Sequence, residues 1–229
     1  MQDNHTVTLS FGWQALSSGT LGVHSLLSQG GSPNRETGGF IRFDSDGTSQ
    51  FYLDDTPHSH TEWTTYTVTQ ANLGGGTMNV GRVYTGATGL AAGRIDLFSV
   101  ALHEIGHALG LSSGNSSFTA GNGDLDVDVT SPRPYNGAQI PTISGAHLNL
   151  STALMFPSIS SGIRRLTSEA DIIANAEISQ FSQLNLSPLG VAVPEPSTYA
   201  MIGAGIALAA FGMYRRRQLH SALLESQLC

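Results

Sequence analysis

His103, Glu104 and His107, in the run SVALHEIGHALGL, are the residues of this chain best suited to do chemistry. Positions four apart on an α-helix lie about 40° apart around the axis and about 6 Å along it. Both imidazoles can therefore face one metal ion, with Glu104 beside them. Two imidazoles suit zinc, and a neighbouring carboxylate can take a proton from a water at the metal. Together these are the core of a hydrolytic zinc site. The bare pattern also arises by chance on amphipathic helices, so the flanks matter.

The flanks read as a helix over 96–109. Leu97, Val100, Ala101, Ile105, Ala108 and Leu109 form an apolar stripe at helical spacing. Asp96 can cap its N-terminus, and Gly110 can end it with a positive φ. Gly106 costs about 1 kcal/mol inside a helix relative to Ala, which points to close approach of another backbone. Around this helix the sequence predicts strands near 6–12, 39–43, 49–53 and 79–86, a helix near 20–28, a long loop over 112–150 and a closing helix over 168–180. Asp46-Gly47 reads as a hairpin turn, and Arg35 with Glu36 as an ion pair.

The run SVALHEIGHALGL resembles the active-site helix of the metzincin zinc endopeptidases and is closest in wording to the matrixins. STALMFPS, residues 151–158, is similar to the Met-turn of that clan, with Met155 as its methionine. LTSEADIIANAEI, residues 166–178, resembles the helix that closes these domains, and TVTLSFGW an early strand. The resemblance implies an α+β, metzincin-like zincin domain: a twisted sheet packed on an active-site helix and a C-terminal helix. It implies Zn(2+) as cofactor, a peptide or protein substrate, Glu104 as general base, and Met155 as an apolar floor beneath the histidines.

One position departs from the pattern. The metzincin motif places a third histidine three residues after its glycine, and Ser113 stands there, a poor zinc ligand. His147, eight residues before Met155, is the candidate replacement. Leishmanolysin-like metzincins similarly draw their third histidine from far downstream, shortly before the Met-turn. Asp124, Asp126 and Asp128 compete for that role, could hold Ca(2+) instead, or form a short strand with a polar face. His58 and His60 could face a second metal; His5, His24 and His220 have no partners in sequence. The alternative to an enzyme is a catalytically inactive metzincin-like surface or matrix-binding module.

The other end carries a second signal. Residues 198–214 hold no charge, and Arg215, Arg216 and Arg217 follow at once. This reads as a short transmembrane helix with a cytoplasmic C-terminus. With Pro194, Glu195 and Pro196 ahead of it, the tail resembles the PEP-CTERM sorting signal of Gram-negative bacteria. That resemblance implies an exosortase-type partner, transient membrane anchoring by the C-terminal helix, and export to the cell envelope or extracellular matrix. The expected organisation is a catalytic domain over 1–187, a linker over 188–197, the span over 198–214 and a basic tail over 215–229. No secretory leader is legible at the start, so an upstream beginning is expected. Net charge is -7, with no lysine, which argues against nucleic acid. The single cysteine, Cys229, excludes an intrachain disulfide.

Overall fold

A computed structural model describes residues 5–186. The chain divides into two units, Met1–Leu189 and Gly190–Cys229, and every described residue belongs to the first. The architecture is α+β. It begins with β1 (Thr8–Gln14), β2 (Gly22–Gly30), β3 (Arg35–Asp44), β4 (Phe51–Tyr52), β5 (Trp63–Asn72), β6 (Thr77–Ala87) and β7 (Ile95–Asp96). The helix α1 (Leu97–Ala108) follows, then α2 (Ser116–Gly121), β8 (Asp126–Asp128), β9 (Gln139–Ile143), β10 (His147–Leu148), β11 (Arg164–Leu166) and α3 (Glu169–Ser179). The strands form small sheets in the orders β1-β3-β2, β11-β6-β5, β10-β9-β8 and β4-β7.

Two apolar clusters flank α1. One joins Ile41 and Phe43 of β3 to Val100, with Leu21, Leu97 and Ile105 packed against them. The larger gathers Met78, Leu111, Phe118, Ile140, Leu148, Met155 and Ile173. The start of α1 is pinned by charge. Asp96 accepts from the Ser99 backbone N–H and hydroxyl at 3.1 and 2.6 Å. It also takes two bonds from Arg164, at 2.9 and 2.7 Å. Arg164 is fully buried, also pairs with Asp54, and lies over the Trp63 ring at 4.0 Å. Such a buried cation is tolerable only because two carboxylates and a π-face surround it. Gly110, at φ +151, turns the chain out of the helix.

Several sequence expectations need correction. Residues 20–28 are not helical: Gly22–Gly30 pairs antiparallel with β3, placing His24 opposite Ile41. A weak leucine stripe loses there to a ladder of backbone hydrogen bonds with the neighbouring strand, bulged near Leu27. Asp46-Gly47 makes a turn, with Asp46 accepting from the Thr48 N–H at 2.7 Å. It joins no hairpin, since β3 lies between β1 and β2 while β4 pairs with β7. Arg35 instead donates to the carbonyls of Ser179 and Gln180, and Glu36 pairs with His24. The expected loop over 112–150 contains α2, β8, β9 and β10. Strand β5, unforeseen, is nonetheless rich in Thr, Tyr and Val, as strands are. Among the described residues no helix is long and apolar enough to cross a membrane. The expected span, the linker with Pro194, Glu195 and Pro196, and the basic tail lie outside the described residues.

Candidate metal centre

His103 and His107 project from one face of α1, and His147 arrives at the start of β10. The three ring centroids stand 4.8, 5.1 and 4.9 Å apart, nearly an equilateral triangle. One nitrogen from each ring lies within 4.8 Å of the others. The reason is visible at the opposite nitrogens. Nδ1 of His103 is 2.8 Å from the Leu154 carbonyl, Nδ1 of His107 bonds the Leu111 carbonyl, and Nδ1 of His147 is 3.1 Å from the Ser144 carbonyl. A carbonyl only accepts, so each Nδ1 carries the proton and each Nε2 keeps its lone pair.

This donor set fits zinc. Zinc–imidazole bonds of about 2.0–2.1 Å in tetrahedral array put the nitrogens roughly 3.3 Å apart. His103 Nε2 and His107 Nε2 are 3.2 Å apart. Burial also keeps the rings neutral, as a metal requires. It pushes His103 down to about 4, with His147 and Arg165 adding to the effect, and His107 well below the ordinary histidine range, with His103 adding most after burial. Burial lowers His147 as well.

Local backbone geometry aims His147. Gly145 and Ala146 both adopt positive φ, +80 and +60, reversing the chain just before it. A side chain on Gly145 would stand 2.9 Å from His147 Nδ1. The following Leu148 N–H donates to the Met155 carbonyl at 2.9 Å, tying the distant histidine to the turn that carries Met155. That turn is held by one carboxylate. Asp171 accepts from the Leu154 and Met155 amides at 3.1 and 3.0 Å and forms the capping box of α3 with Ser168. Met155 is fully buried, and a Cβ on Gly106 would lie 2.3 Å from its sulfur. The glycine inside α1 thus admits a thioether rather than another backbone.

Glu104 is buried beside the imidazoles in the same cleft, of about 410 Å³. Burial pushes its carboxyl up to about 7, although the His24 backbone N–H faces it and favours the charged form. Ser113 also lines this cleft. Asp124, Asp126 and Asp128 form a separate group whose carboxylates lie within 4.8 Å of one another. Burial, then Asp124 and Asp128, raise Asp126, and its Oδ1 has no hydrogen-bond partner. His60 faces Arg164 through Nδ1 and packs on Tyr84, with centroids 4.3 Å apart. His24, which had no partner in sequence, lines the cleft and stacks on His107 at 6.3 Å. Nothing in the linear order announces that contact.

The family model described as Matrixin matches residues 2–118, which takes in α1 and stops before His147 and Met155. The model described as the PEP-CTERM protein-sorting motif matches residues 192–218, a signal for export to the Gram-negative cell envelope. No curated protein and no solved structure matches.

Proposed function

Since the chain belongs to the matrixin family of metzincin peptidases, we propose that it is an exported zinc-dependent endopeptidase, with His103, His107 and His147 as the metal ligands and Glu104 as the general base. The observation that carries this reading is the convergence of three neutral imidazoles, each with Nδ1 turned to a carbonyl, beside a buried carboxyl group. Met155 is the apolar floor, close-packed on Gly106.

When bound, zinc acts as a Lewis acid toward the scissile carbonyl and makes water a better nucleophile near neutral pH. The chain's own residues do the rest. Glu104, pushed up to about 7, is matched to take a proton from the attacking water and return it to the leaving amine. Its burial strengthens that exchange by excluding bulk solvent. Val100, Leu154, Phe156, Pro157 and Ile159 supply an apolar wall of the cleft, suited to a peptide side chain beside the scissile bond.

Asp124, Asp126 and Asp128 are the proposed calcium position, where hard carboxylate oxygens suit that ion. For the region outside the described residues, the proposal is transient membrane anchoring over 198–214 and processing by an exosortase-type enzyme near Pro194-Glu195-Pro196. The alternative, an inactive surface module, is less economical, because a binding domain has no use for a buried carboxyl group beside three convergent imidazoles. The test is proteolysis of an unfolded protein substrate, with and without a zinc chelator. Cleavage that stops with chelator and returns with zinc supports the enzyme. Zinc retention without cleavage supports the inactive module.

A further inference from the structure

The mechanism leaves a buried acid unused. Glu36, on β3, has a side chain with 0% exposure, and its Oε1 lies 2.8 Å from Nε2 of His24 on β2. Its other oxygen, Oε2, is buried with no hydrogen-bond partner. Burial pushes this carboxyl above its ordinary value, against the pull of His24. Left in an apolar sheet for shape alone, such a group is a net cost to folding. The chain nevertheless makes room for it. A Cβ on Gly39 would stand 2.0 Å from Glu36 Oε1 and 3.1 Å from His24 Nε2.

Beyond Glu36, His24 touches the metal centre twice. Its ring stacks on His107 at 6.3 Å and 23°, and its backbone N–H faces the Glu104 carboxyl. The same strand is pressed onto α1 at Gly22, where a Cβ would meet Glu104 Oε1 at 2.8 Å and Val100 Cγ1 at 2.9 Å.

We propose that Glu36 and His24 form a positioning dyad for the metal centre, in which the buried Glu36 carboxylate orients His24 and supplies counter-charge to the cation, and His24 holds His107 and Glu104 in register. This rests on the zinc reading above. It adds two residues to that site, neither of them a ligand or a catalytic residue. A carboxylate hydrogen-bonded directly to a ligating ring changes metal affinity about ten- to a hundredfold; Glu36 acts one residue further out, through His24, so the effect expected here is smaller.

The test uses the full chain with Glu36→Gln, which keeps shape and removes charge, and with Gly39→Ala, which displaces the pair without altering either member. Zinc affinity is measured by competition with a chromogenic chelator, and the melting temperature is measured on metal-free protein. The dyad predicts zinc binding weaker by more than about twofold and up to about tenfold in Glu36→Gln, with a metal-free melting temperature unchanged or higher, because a costly buried charge is gone. Gly39→Ala should weaken zinc binding in the same direction. Zinc affinity within about twofold of the parent in both variants overturns the dyad, as does a loss that merely tracks lower metal-free stability. A parent chain that binds no zinc overturns the metal reading and the dyad together. A parent that binds zinc but does not cleave overturns only the peptidase reading.

Discussion

Gly106→Ala separates the proposed floor of the metal centre from ordinary helix energetics. At an open helical position this substitution stabilises by about 1 kcal/mol. Here the new methyl would lie 2.3 Å from the Met155 sulfur and 3.1 Å from its Cε, and Met155 has 0% exposure. Methionine is adaptable, yet a fully buried side chain has nowhere to swing. Overpacking of this kind costs about 1–3 kcal/mol, so the net effect is a loss of up to about 2 kcal/mol. Met155→Ala empties the contested space. In that background the same glycine substitution should recover its helical gain of about 1 kcal/mol. The sign of Gly106→Ala therefore reverses between the two backgrounds, a coupling that a double-mutant cycle reads directly. The assay is urea denaturation of the four metal-free proteins, followed by circular dichroism. Stabilisation by Gly106→Ala in the parent would refute the packing argument.

Other perturbations address the site itself. His147→Ala should abolish zinc retention measured by elemental analysis, and full retention would remove this residue from the ligand set. Glu104→Ala should keep the zinc while lowering peptide turnover by about 10²–10⁴-fold; an unchanged rate removes it as the base. Metal-free stability should respond to pH in opposed directions through Glu104 and through the lowered histidines, of which His103 is the example and His107 and His147 act in the same sense. His103, lowered to about 4, binds fewer protons folded than unfolded between about 4 and 6.5, so its contribution is lost as pH falls through that window. Glu104, raised to about 7, binds more protons folded between about 4.5 and 7, so its contribution is lost as pH rises. Glu104→Gln removes the second effect, and its stability in urea should fall more steeply from pH 7 to pH 5 than the parent's. Calcium should raise the parent's melting temperature and leave that of an Asp126→Asn variant unmoved; equal shifts in both would exclude the aspartate trio.

The parts of this site that lie on one helix were legible in the chain. A period of 3.6 residues places His103, Glu104 and His107 without knowledge of anything else, and Gly106 advertises a close approach because glycine there is otherwise unfavourable. The distant His147 was legible only as a residue type near Met155; its aim depends on positive φ at Gly145 and Ala146, and Ala gives no warning of that conformation. The pairing of His24 with Glu36 was not legible at all. It crosses from β2 to β3, and a segment read as a helix over 20–28 cannot reveal a neighbour across a sheet. Arg164 is similar: RR in a loop-like stretch looks like surface charge until Asp54, Asp96 and Trp63 close around it. Local periodicity is written in the sequence, whereas strand register is decided by partners far away.

Both ends of the excursion between the helix and His147 are fastened: the Leu111 carbonyl to His107 Nδ1, and the Leu148 amide to the Met155 carbonyl. Span and function are therefore uncoupled. The exposed tip at Gly123, where an added Cβ would meet nothing within 4 Å, offers room for insertion of a foreign recognition segment without shifting the imidazoles. The segment from His147 to Met155 offers none, because it is tied across its ends by the Leu148 amide and the Met155 carbonyl. A lineage, or a designer, could rebuild the rim of this cleft freely while the ground beneath it stays put.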